Sequence, residues 1–397
     1  MAKKLKIALT CPASLPATQF GGILFLCTDI ARELAKKNHI ITIYTTDLDF
    51  ENGTNLFNKK LSRVENYDGF TIKRTHAFLK IKLFFVNPGI FMQIKKDMPD
   101  LIHVVGIRSF QAIIGAILSK MYDIPLVISD QGGLFTHPDF KKDRITSYLY
   151  KLQEPFIKFI IKQAKKIIAA NEYEQTIFSK YCTKSKILLV KNGINFEQIT
   201  TIPFDFKKKY KISGRMILFV GRFSKIKGID LLLDAFSDIC KLKEFDNVML
   251  VILGVDFGYQ GDMMKKIQNL KIQNRIKIIQ KPPREDVIAS YHACEFAVLP
   301  SKWEMSPLTP LEVFSCKKTV ISTNAYGIPY VVVNGKNGLL VPANNPKKIT
   351  ECIIKLLDND KMRYRLGNEG FKMVEKECNS KVMAQQILQV YLSILNK

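Results

Sequence analysis

The sequence predicts an α/β protein made of two doubly wound domains. Three observations predict it. The chain has 397 residues, more than one ordinary hydrophobic core organises. Short apolar runs alternate with longer amphipathic ones in both halves, as expected for strands of a parallel sheet with covering helices between them. The rhythm breaks once, at 192–214, and then restarts.

In the first half, strand-like runs fall at 6–10, 40–46, 101–105, 125–129, 166–170 and 186–190. Helix-like stretches at 23–37, 109–121, 145–165 and 172–181 lie between most of them. Asn192-Gly193 is a strong turn dipeptide; Pro203, the lysine run 207–209 and Ser213-Gly214 follow, so this stretch reads as an interdomain linker. Beyond it, strands are expected at 216–221, 248–253, 275–279, 296–299, 319–322 and 338–341. Helices are expected at 228–241, 260–271, 285–293 and 309–316, and the chain reads as helical throughout from Pro346. Two such domains facing each other make a cleft lined by the C-terminal ends of their strands.

Composition narrows the function classes. At 47% hydrophobic and 24% charged, the chain is globular. No apolar stretch is long enough for a membrane span, and the basic-then-apolar start MAKKLKIALT alternates like a strand, so a cytoplasmic protein is expected. Eight scattered cysteines without a C-x-x-C pair read as reduced thiols, several of them buried. The net charge of +24 is spread over both halves, which favours anionic partners: phosphorylated substrates, an anionic membrane surface, or nucleic acid nonspecifically.

Four segments can carry chemistry. Gly21-Gly22, before the first helix, lets backbone N–H groups approach a phosphate or a sugar, and it equally suits a loop that needs positive φ. GRFSKIKG (221–228) follows a strand; Arg222 offers a forked donor and Lys227 a point charge for phosphate oxygens, the alternative being two solvated cations. In PSKWEMSPLTPLE (300–312), Glu304 and Glu312 can accept hydrogen bonds from vicinal hydroxyls, and the N–H groups of Leu308 and Thr309 sit at a helix start. Thr309-Pro310-Leu311-Glu312 also reads as a capping box, with Thr309 as N-cap. SDQGGLFTHP (129–138) places Gln131 and His137 in a glycine-kinked loop after a strand.

Taken together and in order, these segments resemble the glycosyltransferase family 4 (group 1) enzymes of the GT-B fold. The resemblance is strongest at GRFSKIKGIDLLLDAF (221–236) and PSKWEMSPLTPLEVF (300–314), the latter matching the family's E-x7-E motif; NGKNGLLVP (334–342) and KNGIN (191–195) add to it. It implies two Rossmann-like domains facing across a cleft: 1–195 on the acceptor side, a linker at 196–213, a nucleotide-sugar domain at 214–378, and a last helix at 379–397 packing back on the first domain. It implies a retaining transferase with a nucleotide-diphosphate sugar as co-substrate, no further cofactor and no metal. Arg222 and Lys227 would hold the diphosphate, Glu312 the ribose, Glu304 the transferred sugar, and Gly22 would lie near the phosphates. The chain departs from the family at Gln131, where a histidine is usual and for which His137 is a candidate substitute. It departs also at Ser315-Cys316-Lys317, in place of small residues, and at Tyr330, in place of an acid. Asp47-Leu48-Asp49 formally matches the D-x-D metal motif of a different transferase fold, and reads here as a solvated turn.

Two stretches of the first half, 77–96 and 141–166, mix lysines with exposed-type aromatics. Such mixing suits peripheral docking on the cytoplasmic face of an anionic membrane and a lipid-linked or membrane-proximal acceptor; an amphipathic helix packing on its sheet is the plain alternative, and the acceptor is expected to be a glycan, a lipid-linked molecule or a small molecule. Two other function classes stand beside sugar transfer. One is an epimerase or hydrolase of the same fold acting on a nucleotide sugar. The other is a nonspecific nucleic-acid binder, motivated by charge alone, since no RNA-recognition motif is present and no specific nucleic-acid partner is expected.

Overall fold

The computed structural model describes residues 4–49, 56–130, 132–134, 136–138 and 144–395. The chain divides into two compact units, one of residues 1–193 with 380–397 and one of residues 194–379.

In the first unit the order is β1 (Lys6–Thr10), α1 (Gly22–Ala35), β2 (Ile40–Thr46), β3 (Val64–Tyr67), β4 (Phe70–Thr75), β5 (Leu79–Ile81), β6 (Phe84–Val86) and α2 (Gly89–Asp97). There follow β7 (Leu101–Val105), α3 (Phe110–Tyr122), β8 (Leu126–Ser129), α4 (Arg144–Gln163), β9 (Lys166–Ala169), α5 (Glu172–Phe178) and β10 (Ile187–Leu189). The main sheet runs β10-β9-β8-β7-β1-β2-β4-β3, parallel except for the edge pair β3–β4, while β5 and β6 form a separate antiparallel hairpin. Chain order reverses between β1 and β7, so the loop that ends in Gly21 leaves the sheet at its switch point.

The second unit holds α6 (Phe196–Thr200), α7 (Phe206–Tyr210), β11 (Arg215–Val220), α8 (Ile229–Ile239), β12 (Val248–Gly254), α9 (Gln260–Asn269), β13 (Ile276–Gln280) and α10 (Arg284–Ala293). It continues with β14 (Phe296–Leu299), α11 (Leu308–Ser315), β15 (Thr319–Thr323), β16 (Gly338–Val341), α12 (Pro346–Leu357) and α13 (Asp360–Glu377). Its sheet is wholly parallel in the order β13-β12-β11-β14-β15-β16, the dinucleotide-fold order, with the reversal between β11 and β14. The strands are apolar runs because helices cover both faces: Ile217, Leu218, Ile252 and Val298 are completely buried.

The chain expected to be helical from Pro346 breaks twice. Asn359 caps α13 by accepting from the Met362 N–H, and α14 (Ser380–Leu395) belongs to the first unit. There the Tyr391 hydroxyl lies 2.6 Å from His103 Nδ1. Segment 196–213, expected as a linker, instead carries Ile199, Phe206 and Ile212 into the core of the second unit. Its lysines lie on the outside of α7, whose inner face is apolar. No helix among the described residues is long and apolar enough to cross a membrane.

Candidate active site

The second sheet's reversal brings together the two motifs of its unit. GRFSKIKG leaves the end of β11, and PSKWEMSP leaves the end of the adjacent β14. Phe223 is fixed by its N–H on the Val255 carbonyl (2.8 Å) and its carbonyl on the Phe257 N–H (3.0 Å). Lys302 N–H donates to the Ile226 carbonyl at 2.7 Å, tying one loop to the other. Gly228 begins α8 at φ +67°, and a Cβ there would stand 2.0 Å from the Pro300 carbonyl oxygen. Only glycine fits both requirements.

Within this frame Lys227 Nζ donates to Glu304 Oε1, and Ser301 Oγ donates to the same oxygen at 3.1 Å. The Glu304 carbonyl accepts from Gly327 N–H at 3.0 Å, and a Cβ on Gly327 would run into the Met305 carbonyl at 1.5 Å. The Arg222 guanidinium lies 5.1 Å from the Phe257 ring centroid, a cation–π contact. Burial lowers its pKa from the ordinary value, and the charge of Glu304 opposes that shift. Arg222, Lys227 and Glu304 therefore form one partly buried group of opposite charges, not two solvated cations.

Glu312 differs from its expected setting. The N-cap of α11 is Pro307, not Thr309, and the helix has no side-chain cap. The capping-box reading fails because the first turn starts two residues earlier, placing Glu312 inside the helix and facing inward. Its carboxylate accepts from Arg284 Nη2 at 2.5 Å and from the Tyr291 hydroxyl at 2.6 Å. Burial pushes the Tyr291 phenol well above its usual pKa, and Glu312 adds to the shift, so this hydroxyl remains a donor. Arg284 and Tyr291, both on α10, were not singled out from the sequence. They lie 28 and 21 residues before Glu312 and share no spacing motif with it. Leu308 and Thr309 open α11, where first-turn N–H groups have no carbonyl partner in their own helix.

In the first unit, Gly21 is the N-cap of α1 at φ +104°, and Gly22 is its exposed first residue. The loop before them is anchored by Thr46 Oγ1 on the Pro12 carbonyl (2.8 Å) and by the buried Arg74 on the Leu15 carbonyl (2.6 Å). His137 is half-buried in its loop, whose turn is made by Asp130 accepting from the N–H groups of Gly132 and Leu134, each at 3.0 Å. Gln131 lies outside the described residues. Asp47-Leu48-Asp49 is not a solvated turn. Asp47 is fully buried, takes the Ala77 N–H at 3.1 Å and Arg63 Nη1 at 3.2 Å, and lies 2.8 Å from His76 Nδ1. Asp49 accepts from Asn58 Nδ2 at 2.8 Å. These carboxylates hold the chain that follows β2 against the β4 end.

Comparison with known proteins bears on the fold and the family. A solved sucrose-phosphate synthase from Thermosynechococcus elongatus superposes with a TM-score of 0.79 at 19% identity, covering 99% of this chain and 100% of that one. Anabaena HepE, solved in complex with UDP-glucose, superposes with a TM-score of 0.76 at 19% identity over 98% of this chain and 100% of that one. At that identity the likeness shows the fold, which is GT-B: two units, each built on a doubly wound parallel sheet. An uncharacterized glycosyltransferase of Methanocaldococcus jannaschii is 29% identical over 71% of this chain and 72% of its own length. The family model for glycosyl transferases group 1 matches residues 203–373, and that for glycosyltransferase family 4 matches residues 20–198. The chain belongs to the group 1 glycosyltransferases.

Proposed function

We propose that the protein transfers a sugar from a nucleoside diphosphate sugar to a glycan or lipid-linked acceptor, with retention of anomeric configuration and without a metal. The observation that carries this is the meeting of Arg222, Lys227 and Glu304 at the reversal of a dinucleotide-fold sheet. Cleaving the sugar–diphosphate bond develops negative charge on the departing phosphate. Two partly buried cations, held beforehand by Glu304 and the Phe257 ring, stabilise that charge at little reorganisation cost. Glu304 holds Lys227 in place and keeps acceptor capacity for hydroxyls of the transferred sugar. The N–H groups of Leu308 and Thr309 serve the same phosphates from the helix start. Glu312 can meet a ribose only through lone pairs left beside Arg284 and Tyr291.

Thermal-shift titration with UDP and with UDP-, GDP-, ADP- and dTDP-sugars tests the donor class, because a ligand of the native state raises its stability. A saturable rise with at least one of them, lost in Lys227→Ala, supports the reading; a flat response to all of them overturns it. Turnover with the stabilising donor, followed by analysis of the product anomer in the presence of a chelator, decides retention and metal independence.

A further inference from the structure

The β5–β6 hairpin has its pattern inverted. Register pairs Leu79 with Val86, Lys80 with Phe85 and Ile81 with Phe84. Side chains alternate across a strand, so Lys80 and Phe85 share one face, and Leu79, Ile81, Phe84 and Val86 share the other. Phe85 faces inward, buried against the rings of Phe20 and Phe57. The other face is wholly apolar, where a two-stranded hairpin ordinarily carries polar residues: Phe84 and Val86 are half-buried, Phe84 edge-on to Phe110, while Leu79 and Ile81 project to solvent. Phe78, Leu79, Ile81 and Leu83 are 73%, 51%, 44% and 43% exposed.

The apolar surface continues onto α4. That helix buries Ile157, Ile160 and Ile161 on its inner face, yet Tyr148, Leu152 and Phe156, spaced four apart, are each at least half exposed on the outer one. Hairpin and helix adjoin: Lys82 Nζ lies 5.7 Å from the centroid of the Tyr150 ring, and the Arg108 guanidinium lies 4.3 Å from it.

Charge decides what covers this surface. Residues 69–96 contain no aspartate or glutamate. Along α4 the single acid is Glu154, which is paired with Lys158 at 2.7 Å, while Lys151 and Lys162 are exposed. Apolar side chains projecting among exposed lysines match a bilayer carrying anionic headgroups: the lysines meet the phosphates and the hairpin tip enters the acyl boundary. We infer that the β5–β6 hairpin and the outer stripe of α4 form one docking surface for an anionic lipid bilayer. The inference deepens the acceptor side of the proposed function by placing the enzyme where lipid-linked acceptors lie, and it does not depend on the donor assignment.

The full chain is sedimented with phosphatidylcholine vesicles and with vesicles in which part of the lipid is phosphatidylglycerol. Binding is expected to the anionic vesicles only and to fall as salt rises. The variant Leu79→Ser/Ile81→Ser/Leu83→Ser should lower the partition coefficient by about tenfold or more, as removal of three inserted apolar side chains predicts. Lys80→Glu/Lys151→Glu, at exposed positions without packing roles, should do likewise, so a folding defect in the first variant does not shelter the inference. Absence of binding to anionic vesicles, or binding by both variants equal to that of the wild type, overturns it. So does a wild-type dimer that the serine variant dissociates, since the face would then belong to a second copy. UDP thermal shift on the same samples separates the two readings: its loss without loss of vesicle binding sinks the donor site and leaves the docking surface standing.

Discussion

Lys227 and Glu304, 77 residues apart in sequence, are joined by a direct charge-assisted hydrogen bond at the end of two neighbouring strands. Each side chain is 18% exposed, so each screens the other's charge in a setting that solvent reaches only partly. The two residues therefore act as one unit. Lys227→Ala and Glu304→Ala should each lower kcat/KM by about 100-fold or more, in the range of losing one preorganised charge-stabilising group. The double variant should cost clearly less than the product of the two single effects, because each single change already breaks the pair. Steady-state kinetics on the three variants checks this. Multiplicative losses would show two independent contributions.

Glu312 makes a second coupled group, and its first consequence is for stability. Arg284→Ala leaves a carboxylate, 8% exposed, that still accepts from the Tyr291 hydroxyl but has lost its ion-pair partner. Breaking such a pair from one side costs about 3 kcal/mol, which lowers Tm by several degrees in a unit of this size. In a Glu312→Gln background the same Arg284→Ala change should cost much less, because no uncompensated charge is left behind. Differential scanning calorimetry of the four proteins measures the coupling. If the cost is the same in both backgrounds, the Arg284–Glu312 contact contributes nothing.

The parallel strands were legible because burial on both faces turns a strand into a plain apolar run; Met216–Val220 and Phe296–Leu299 need no further signal. The strands absent from the sequence reading are of another kind. β3, with the sequence VENY, is an exposed edge strand, and β4 alternates Phe70, Ile72 and buried Arg74 with half-exposed residues, a pattern too short to stand out. The lysine run at 207–209 hid the single buried anchor Phe206, so α7 looked like a linker. At the site, strand-end residues were visible because sequence order places them, whereas the partners of Glu312 come from a different helix and only packing reveals them. Lys317, where the resemblance led one to expect a small residue, adopts φ +56° and sets its ammonium 4.8 Å from the Phe371 ring centroid, a contact that repays some of the left-handed strain.

Two buried groups in the first unit give its stability opposite pH dependences. Burial lowers the His103 pKa to about 3, below its unfolded value near 6.5. Below pH 6.5 the unfolded chain takes up a proton that the folded unit refuses, so stability is lost progressively as pH falls from 6.5 toward 3, at about 1.4 kcal/mol per pH unit at most. Glu174 is fully buried and has its pKa raised well above 4.5, first by burial and also by the charge of Asp130. Its contribution is complete below pH 4.5 and is lost as pH rises through the folded value. His103→Gln should flatten the acid limb of a Tm-against-pH profile, and Glu174→Gln should raise Tm at pH 8 while leaving that limb in place. An acid limb unchanged by His103→Gln would assign it to other groups.

Gly228 and Gly258 separate strain from collision. Both have left-handed backbones, at φ +67° and +85°. A Cβ on Gly258 meets nothing within 4 Å, whereas one on Gly228 meets the Pro300 carbonyl oxygen at 2.0 Å. Gly258→Ala should therefore cost only the conformational strain, about 1–2 kcal/mol. Gly228→Ala carries the same strain and must also part the two loops that the Lys302–Ile226 hydrogen bond holds together. That displacement moves Lys227, the residue immediately before it, away from Glu304. The expected result is a larger fall in Tm than for Gly258→Ala, with a loss of transfer that persists at temperatures where the variant is fully folded. Both variants are assayed well below their Tm values. If Gly228→Ala retains the turnover of Gly258→Ala there, the close approach of β11 and β14 loops does not set the position of Lys227.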